Sequence, residues 1–375
     1  MNAGFDIDVL VVGLGPAGAA AAAEAARGGA RVIAIDRRAV AGLPVQCAEF
    51  VPMMLGADLA AVASARVQDI DVMQTYVGSD APDVTPDFRG HMIDRAAFDQ
   101  ALVRAAEAAG ADCRFGCVLR SIVPDGTVTL ADGTTLRPRL LIGADGPRSL
   151  VGRAVGMPNT ALVETRQITV DLKRPHTGTD IFLRAEIAGG YGWLFPKGAV
   201  CNLGLGVIPT QKALLKPLLS ELHMELVAEG RVGTRIHATT GGLIPVSGIA
   251  GLAATLGATT VLLTGDAAGL TNPVTGAGIN PAVLSGRMAG QAAAALIGGD
   301  AAAAEDYAEE AHDLFAPSLA LALKRRRELL DTYTGGQRPG ASALRRGWIA
   351  YPDYWTKAEG AHRAPAPTTE AREPA

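Results

Sequence analysis

The chain opens with an unbroken apolar run, Val9-Leu10-Val11-Val12, which gives way to Gly13-Leu14-Gly15-Pro16-Ala17-Gly18 and then to an alanine-rich stretch reaching Arg27. A run without polar alternation suits a parallel strand covered on both faces, and the alanines predict a helix. Val32-Ile33-Ala34-Ile35 predicts the next strand, ending at Asp36. Two later runs end in a similar way: Leu140-Leu141-Ile142 passes into Gly143-Ala144-Asp145-Gly146, and Val261-Leu262-Leu263-Thr264 into Gly265-Asp266. Between them the pattern changes. Residues 167–172, 181–187 and 200–208 alternate as antiparallel strands do, and 214–229 carries a helical apolar period. Asp94 is placed to cap a helix that runs to about residue 109, and residues 114–119 then read as a strand. Asp125-Gly126 and Asp132-Gly133 mark the turns of a small meander over 118–142. From Ala301 to about Leu330 the composition is helical.

The first turn carries candidate chemistry. Its glycines permit a tight turn, close backbone approach to a pyrophosphate and close helix–strand packing. The helix start adds free N–H groups and partial positive charge. Gly13, Gly15, Pro16, Ala17 and Gly18 are therefore candidate dinucleotide contacts, with Asp36 placed for the adenosine ribose and Arg37 beside it. An incidental glycine turn is the plain alternative, but strand, helix, second strand and acid all fall in place. This unit alone allows NAD as readily as FAD.

The two later Gly-Asp strands, with Pro273-Val274-Thr275-Gly276-Ala277-Gly278-Ile279-Asn280 opening a long small-residue helix, resemble the glutathione-reductase-type flavoproteins, in their para-hydroxybenzoate hydroxylase-like branch. The resemblance implies FAD. It implies that Asp266 binds the ribityl chain and that the backbone of Gly276, Ala277, Gly278 and Ile279 faces the flavin pyrimidine edge. A reduced flavin gathers negative charge there, and a helix N-terminus stabilises it. By the same resemblance Arg95 lies near the cofactor and Val118 offers backbone groups to adenine. A surface ion pair is the alternative for Arg95.

Gly190-Tyr191-Gly192-Trp193-Leu194-Phe195-Pro196, followed by Gly204-Leu205-Gly206, resembles the Y-x-W-x-F-P…G-x-G signature of the geranylgeranyl reductase family, which saturates isoprenoid double bonds. On a strand, Tyr191, Trp193 and Phe195 share one side and offer a broad apolar surface. Together with Pro196, Gly204 and Gly206 they are the candidate substrate contacts; the alternative is that the rings pack the sheet on the flavin domain. Gly42-Leu43-Pro44-Val45-Gln46-Cys47-Ala48-Glu49 is similar to the family's cysteine loop, with Ala48 where a glycine is usual. Cys47 is a candidate redox or acid group and cofactor neighbour, or a small filler against the ring.

The expected fold is α/β: a glutathione-reductase-type, Rossmann-like FAD-binding fold with an inserted antiparallel β-sheet and a C-terminal helical region. Residues 1–160 and 255–300 would form the discontinuous FAD-binding domain, 161–254 the substrate-binding domain and 301–360 the helical region, with 361–375 a disordered tail. The expected activity is FAD-dependent reduction of C=C bonds in an isoprenoid chain. The alternative is a monooxygenase hydroxylating an apolar or aromatic substrate; the halogenase signature W-x-W-x-I-P is absent. A third reading is a flavoprotein that binds lipid or relays electrons. No second G-x-G-x-x-G unit is present, so NAD(P)H, another reductant or a redox protein stays open as electron source.

With 49% hydrophobic and 19% charged residues the chain is globular, and its net charge of -4 argues against nucleic acid. Neither a secretory leader nor an uncharged apolar run of about 18 residues is evident, which points to the cytoplasm. Peripheral membrane contact stays open: apolar residues 314–323, interrupted by Pro317, run into Lys324-Arg325-Arg326-Arg327, and Arg345-Arg346-Gly347-Trp348-Ile349-Ala350-Tyr351 is a second basic–aromatic patch. A helix capping the core is the alternative. The four cysteines complete no zinc site and are too scattered for an iron–sulfur cluster; Cys113, Cys117 and Cys201 read as packing residues.

Overall fold

The computed structural model describes residues 4–53, 59–334 and 336–356. The expected tail from Ala361 lies outside these residues. Six strands form the cofactor sheet, in the order Ala253–Leu256, Thr259–Leu263, Pro138–Gly143, Ile7–Val12, Val32–Asp36, Asp112–Phe115. Five run parallel, and Ala253–Leu256 is an antiparallel edge. The apolar runs at 9–12, 140–142 and 261–263 are buried throughout, as unbroken apolar strands covered on both faces are. Helix Pro16–Arg27 packs along helix Ile279–Ile297 at very short range, since a Cβ on Gly286 would lie 2.2 Å from the Ala17 carbonyl oxygen.

The substrate-side sheet runs Val232–Thr240, Leu162–Leu172, Val200–Val207, Gly192–Lys197, Gly178–Leu183, Val72–Val77, Asp83–Thr85, with Leu243–Pro245 also paired to Leu162–Leu172. Helix Leu215–Ala228 covers one of its faces with Leu219, Leu222 and Leu226. The boundary expected at residue 160 therefore does not separate the two sheets. Val72–Val77 comes from the N-terminal part of the chain, yet pairs in parallel with Gly178–Leu183. Such pairing is set by long-range contacts that no local pattern records. A small sheet of Phe50–Pro52, Gly90–Ile93 and Arg66–Ile70 bridges the two layers.

Three local expectations are corrected. The strand expected over 114–119 breaks: Asp112–Phe115 ends at Gly116, which takes φ +71°, and the chain resumes as Leu119–Ile122. The strand expected over 181–187 ends at Leu183. Helix Ala303–Thr334 runs through Pro317 unbroken, because Tyr307, Ala311, Leu319 and Ala322 bury along its length and outweigh the local preference. Among the described residues no helix is long and apolar enough to cross a membrane.

Neither basic patch is a free surface. Arg325 is fully buried, donating to the carbonyls of Tyr354 and Thr356, and Arg326 turns inward; only Lys324 and Arg327 are exposed. Arg345 binds Asp80 and Asp83, Arg346 binds Glu328, and Trp348 is buried. Helices Ala341–Arg346 and Pro352–Trp355 thus fold back onto the body of the protein.

Candidate active site

One cavity of about 1260 Å³ runs between the two large sheets, and most of the sequence-derived candidates line it. The glycine turn forms one wall. Gly13 takes φ +100°, and a Cβ there would lie 2.3 Å from the carbonyl oxygen of Ala144; one on Gly18 would meet the Gly13 carbonyl oxygen at 1.7 Å. A Cβ on Gly15 would meet nothing within 4 Å. Two of the glycines thus allow tight packing, and the third leaves open room at the start of helix Pro16–Arg27, as a pyrophosphate needs. Gly15, Pro16 and Ala17 line the cavity, whereas Gly18 serves the packing behind it. Asp36 lies at the rim. Its carboxylate accepts from Leu14 N–H and Arg38 N–H, both at 2.8 Å, so it shapes the turn as well as facing the cavity. Arg37 is exposed there, and Val118 lines the same end, its carbonyl accepting from Ala131 N–H. Cys117, expected in the core, also lines this end.

The opposite wall is the turn before helix Ile279–Ile297. Asn272 Oδ1 accepts from the N–H groups of Val274 and Thr275, and Gly276 turns with φ +69°. A Cβ on Gly278 would lie 2.8 Å from Thr271 Oγ1 and 3.2 Å from Asp266 Oδ1. Only glycine lets these groups approach. Thr271 donates to Asp266 Oδ1 at 2.6 Å, and Asn159 donates to the Asp266 carbonyl at 2.8 Å. Burial pushes the Asp266 carboxyl above the usual range, opposed by the Thr271 hydrogen bond and the Arg95 charge. Gly276, Ala277, Gly278 and Ile279 all line the cavity at the start of the helix; Gly276 N–H donates to the Asn272 carbonyl and Ala277 N–H to Thr275 Oγ1. Open room at Gly15, the carboxylate of Asp36 at the rim, Asp266 and a second helix start are chemically suited to the successive parts of FAD. The residues fit the cofactor.

Arg95 and Cys47 meet at the cavity wall. The Arg95 side chain is 17% exposed, and its Nε donates to the buried Asp99 at 2.6 Å, so the pair is an internal one and not a surface bridge. Burial works to lower the Arg95 pKa, but its neighbours, Asp99 foremost, carry it above the ordinary value. Cys47 Sγ accepts from Glu49 N–H at 3.2 Å. Glu49 is buried with φ +67°. Its carboxylate accepts from Lys197 Nζ at 2.8 Å on both oxygens, from Asn202 Nδ2 at 2.9 Å and from Arg95 N–H at 3.0 Å. This cluster ties the cysteine loop to two strands of the substrate-side sheet. Sequence reasoning missed it; polar Gln167, Lys197 and Asn202 within apolar strands were the available signal.

Strand Gly192–Lys197 brings its rings to the same cavity. Tyr191, Trp193 and Phe195 all line it; Trp193 lies 5.8 Å from Tyr191 and 6.4 Å from Phe195, centroid to centroid. Tyr191 also donates to the Thr275 carbonyl at 2.5 Å, joining the aromatic strand to the turn before the helix. Trp348, which the sequence placed in a basic–aromatic patch for membrane contact, instead packs on Tyr191 at 4.7 Å and extends the aromatic wall. Pro196, Gly204 and Gly206 do not line this cavity. A Cβ on Gly204 would stand 2.4 Å from the Trp193 ring, and one on Gly206 2.9 Å from Val163, so these glycines make room behind the rings.

Residues 59–212 match the model of a family described as an FAD binding domain. The chain is 32% identical, over 314 residues, to a digeranylgeranylglycerophospholipid reductase from Methanocella arvoryzae, covering 76% of each sequence. Among solved structures, a geranylgeranyl bacteriochlorophyll reductase-like protein from Thermoplasma acidophilum superposes with a TM-score of 0.76 at 24% identity, over 90% of this chain and 89% of that one. A probable FAD-dependent monooxygenase from Pseudomonas aeruginosa superposes at 0.68 with 18% identity, over 87% and 96%, and so shares the fold. An FAD-shaped cradle facing an aromatic strand, on a chain this similar to those reductases, makes this protein a member of the geranylgeranyl reductase family of FAD-dependent oxidoreductases.

Proposed function

We propose that the protein saturates carbon–carbon double bonds of a lipid-borne isoprenoid chain. The observation that carries this reading is the shared cavity: the cofactor cradle and the Tyr191–Trp193–Phe195 wall face one space, which continues to apolar Leu314, Phe315, Leu319 and Trp355. A volume of about 1260 Å³ exceeds the common range of roughly 300–1,000 Å³ for a single small ligand, and suits a cofactor together with a long chain. Bound FAD supplies the hydride for the reduction.

The chain's own residues do the rest. Gly13–Gly18 and Asp36 hold the nucleotide half, and Asp266 with Gly276–Ile279 holds the flavin half. Trp193 and Phe195 press the alkene into register, because an isolated alkene accepts hydride poorly unless it is fixed in a dry site. Cys47, at the wall between Arg95 and Glu49, is the candidate donor of the proton to the second carbon. NAD(P)H or a redox protein is the candidate source of electrons. Leu284, Leu314 and Trp355 are exposed and also line the cavity, which supports lipid entry there from a membrane surface.

The test is anaerobic incubation of chemically reduced holoenzyme with a panel of isoprenoid lipids, read by mass for gains of two hydrogens. Oxygen consumption coupled to a product heavier by one oxygen would overturn the reading in favour of hydroxylation. Turnover by wild type but not by Cys47→Ala, with FAD content equal, supports the role given to Cys47.

A further inference from the structure

Arg326 lies on helix Ala303–Thr334, next to the fully buried Arg325, and reaches inward. Its Nη1 donates to two carbonyls from distant parts of the chain, Gly189 at 2.5 Å and Pro273 at 3.3 Å. Gly189 precedes the aromatic strand, and Pro273 opens the turn that carries Gly276. The guanidinium borders a void of about 30 Å³ whose other walls include Tyr191, Trp193, Ile244 and Gly276. Arg325 has Glu328 as a counter-ion, whereas among the described residues no carboxylate pairs with Arg326. Burial lowers its pKa to about 10, which leaves it cationic at neutral pH.

Removing a cation from water without a counter-ion is costly. Carbonyl dipoles offset part of that cost by solvating the charge, but they do not neutralise it. A net positive charge therefore stands just behind the turn assigned to the flavin pyrimidine edge. At low local dielectric its field reaches across that turn with little screening.

We propose that Arg326 is an electrostatic positioning residue of the cofactor site: its uncompensated charge makes the bound flavin easier to reduce, while its two hydrogen bonds lace the aromatic strand to the Pro273–Ile279 turn. This rests on the reading that the turn faces the flavin pyrimidine, where the reduced form gathers negative charge.

The test is the midpoint potential of the full-length holoenzyme, measured by dye equilibration, for wild type, Arg326→Lys, Arg326→Gln and Arg326→Met. Lysine keeps the cation and holds the potential near the wild-type value. Glutamine keeps a donor to the carbonyls but loses the charge, and the potential shifts to a more negative value, as it does with methionine. In both neutral variants, affinity for reduced FAD falls more than affinity for oxidised FAD. A wild-type potential in Arg326→Gln overturns the proposal and reduces Arg326 to a structural peg, whatever happens to thermal stability. Should Arg326→Met not fold, the glutamine and lysine variants still decide. No substrate is involved, so an unchanged potential alongside intact isoprenoid turnover sinks this proposal alone, and a shifted potential without turnover sinks only the substrate reading.

Discussion

The indole N–H of Trp193 donates to Gln167 Oε1 at 2.9 Å, and the Gln167 amide donates onward to the Cys47 carbonyl at 3.1 Å. The buried Gln167 side chain thus links the aromatic strand to the cysteine loop, beside the Lys197–Glu49 pair. Gln167→Leu leaves the indole N–H and the loop carbonyl unpaired, at about 1–3 kcal/mol for each buried group. The expected outcome is a lower melting temperature and slower turnover, with FAD content close to wild type. Turnover equal to wild type would show that the link does not position the loop.

The Glu49–Lys197 pair gives a second test. Glu49 is 5% exposed, and its carboxylate collects an ammonium, an amide and a backbone N–H. Glu49→Ala strands the Lys197 charge and should cost about 3–5 kcal/mol in urea unfolding, as broken buried pairs do. Adding Lys197→Met should recover much of that loss. A double variant no more stable than Glu49→Ala would contradict the account.

At Gly278 the prediction concerns the cofactor rather than the fold. A Cβ there meets Thr271 Oγ1 and Asp266 Oδ1. Gly278→Val must displace both and should weaken FAD binding by tenfold or more, read by titration and by the flavin absorbance of purified protein. The far-ultraviolet circular dichroism should stay unchanged.

Cysteine ionisation sets an alkaline window. Burial raises the Cys201 thiol to about 12, and burial with the nearby charges of Glu107 and Asp112 raises Cys113 to about 12, from 9.0 in each case. Between about pH 9 and 12 the unfolded chain releases protons that the folded chain retains, so stability present below pH 9 is lost as pH rises. Denaturant titrations should show a shallower decline over that window for Cys201→Ala than for wild type. Native alkylation at pH 8 should leave Cys113 and Cys201 unmodified.

Membrane contact is tested at the exposed edge of the cavity. Trp355 is 61% and Leu314 51% exposed. Trp355→Asp with Leu314→Asp should abolish co-sedimentation with lipid vesicles and slow turnover of a membrane-borne isoprenoid, while a detergent-solubilised one is reduced at the wild-type rate. Unchanged sedimentation would place the contact elsewhere.

The nucleotide-binding half was legible in the sequence because its signals are local. Gly13–Gly18 is strand, turn and helix within one short stretch, and Asp266 ends a strand with its glycine turn. Asp94 caps its helix as expected, accepting from Ala97 N–H at 2.9 Å. What escaped is long-range. Glu49, Lys197 and Asn202 are ordinary polar letters until folding brings them together, and periodicity does not say which polar side chain on a buried strand will find a counterpart. The recruitment of Val72–Val77 into the substrate-side sheet is likewise invisible in its own alternation. Lys324-Arg325-Arg326-Arg327 left membrane contact and core capping both open because charge in a sequence carries no direction, and a helix turns successive cations to different sides.

The strand order of the cofactor sheet has a consequence for biosynthesis. Thr259–Leu263, which lies beside Pro138–Gly143 and leads into Asp266, is translated only after every strand of the intervening sheet has been synthesised. The nucleotide cradle cannot close during synthesis of the first half, so early strands wait with an unpaired edge while a sheet made largely of later segments assembles around Val72–Val77. Nascent chains arrested before residue 259 should therefore depend on chaperones and fail to retain flavin, and the cofactor would join the protein as one of the last acts of its folding.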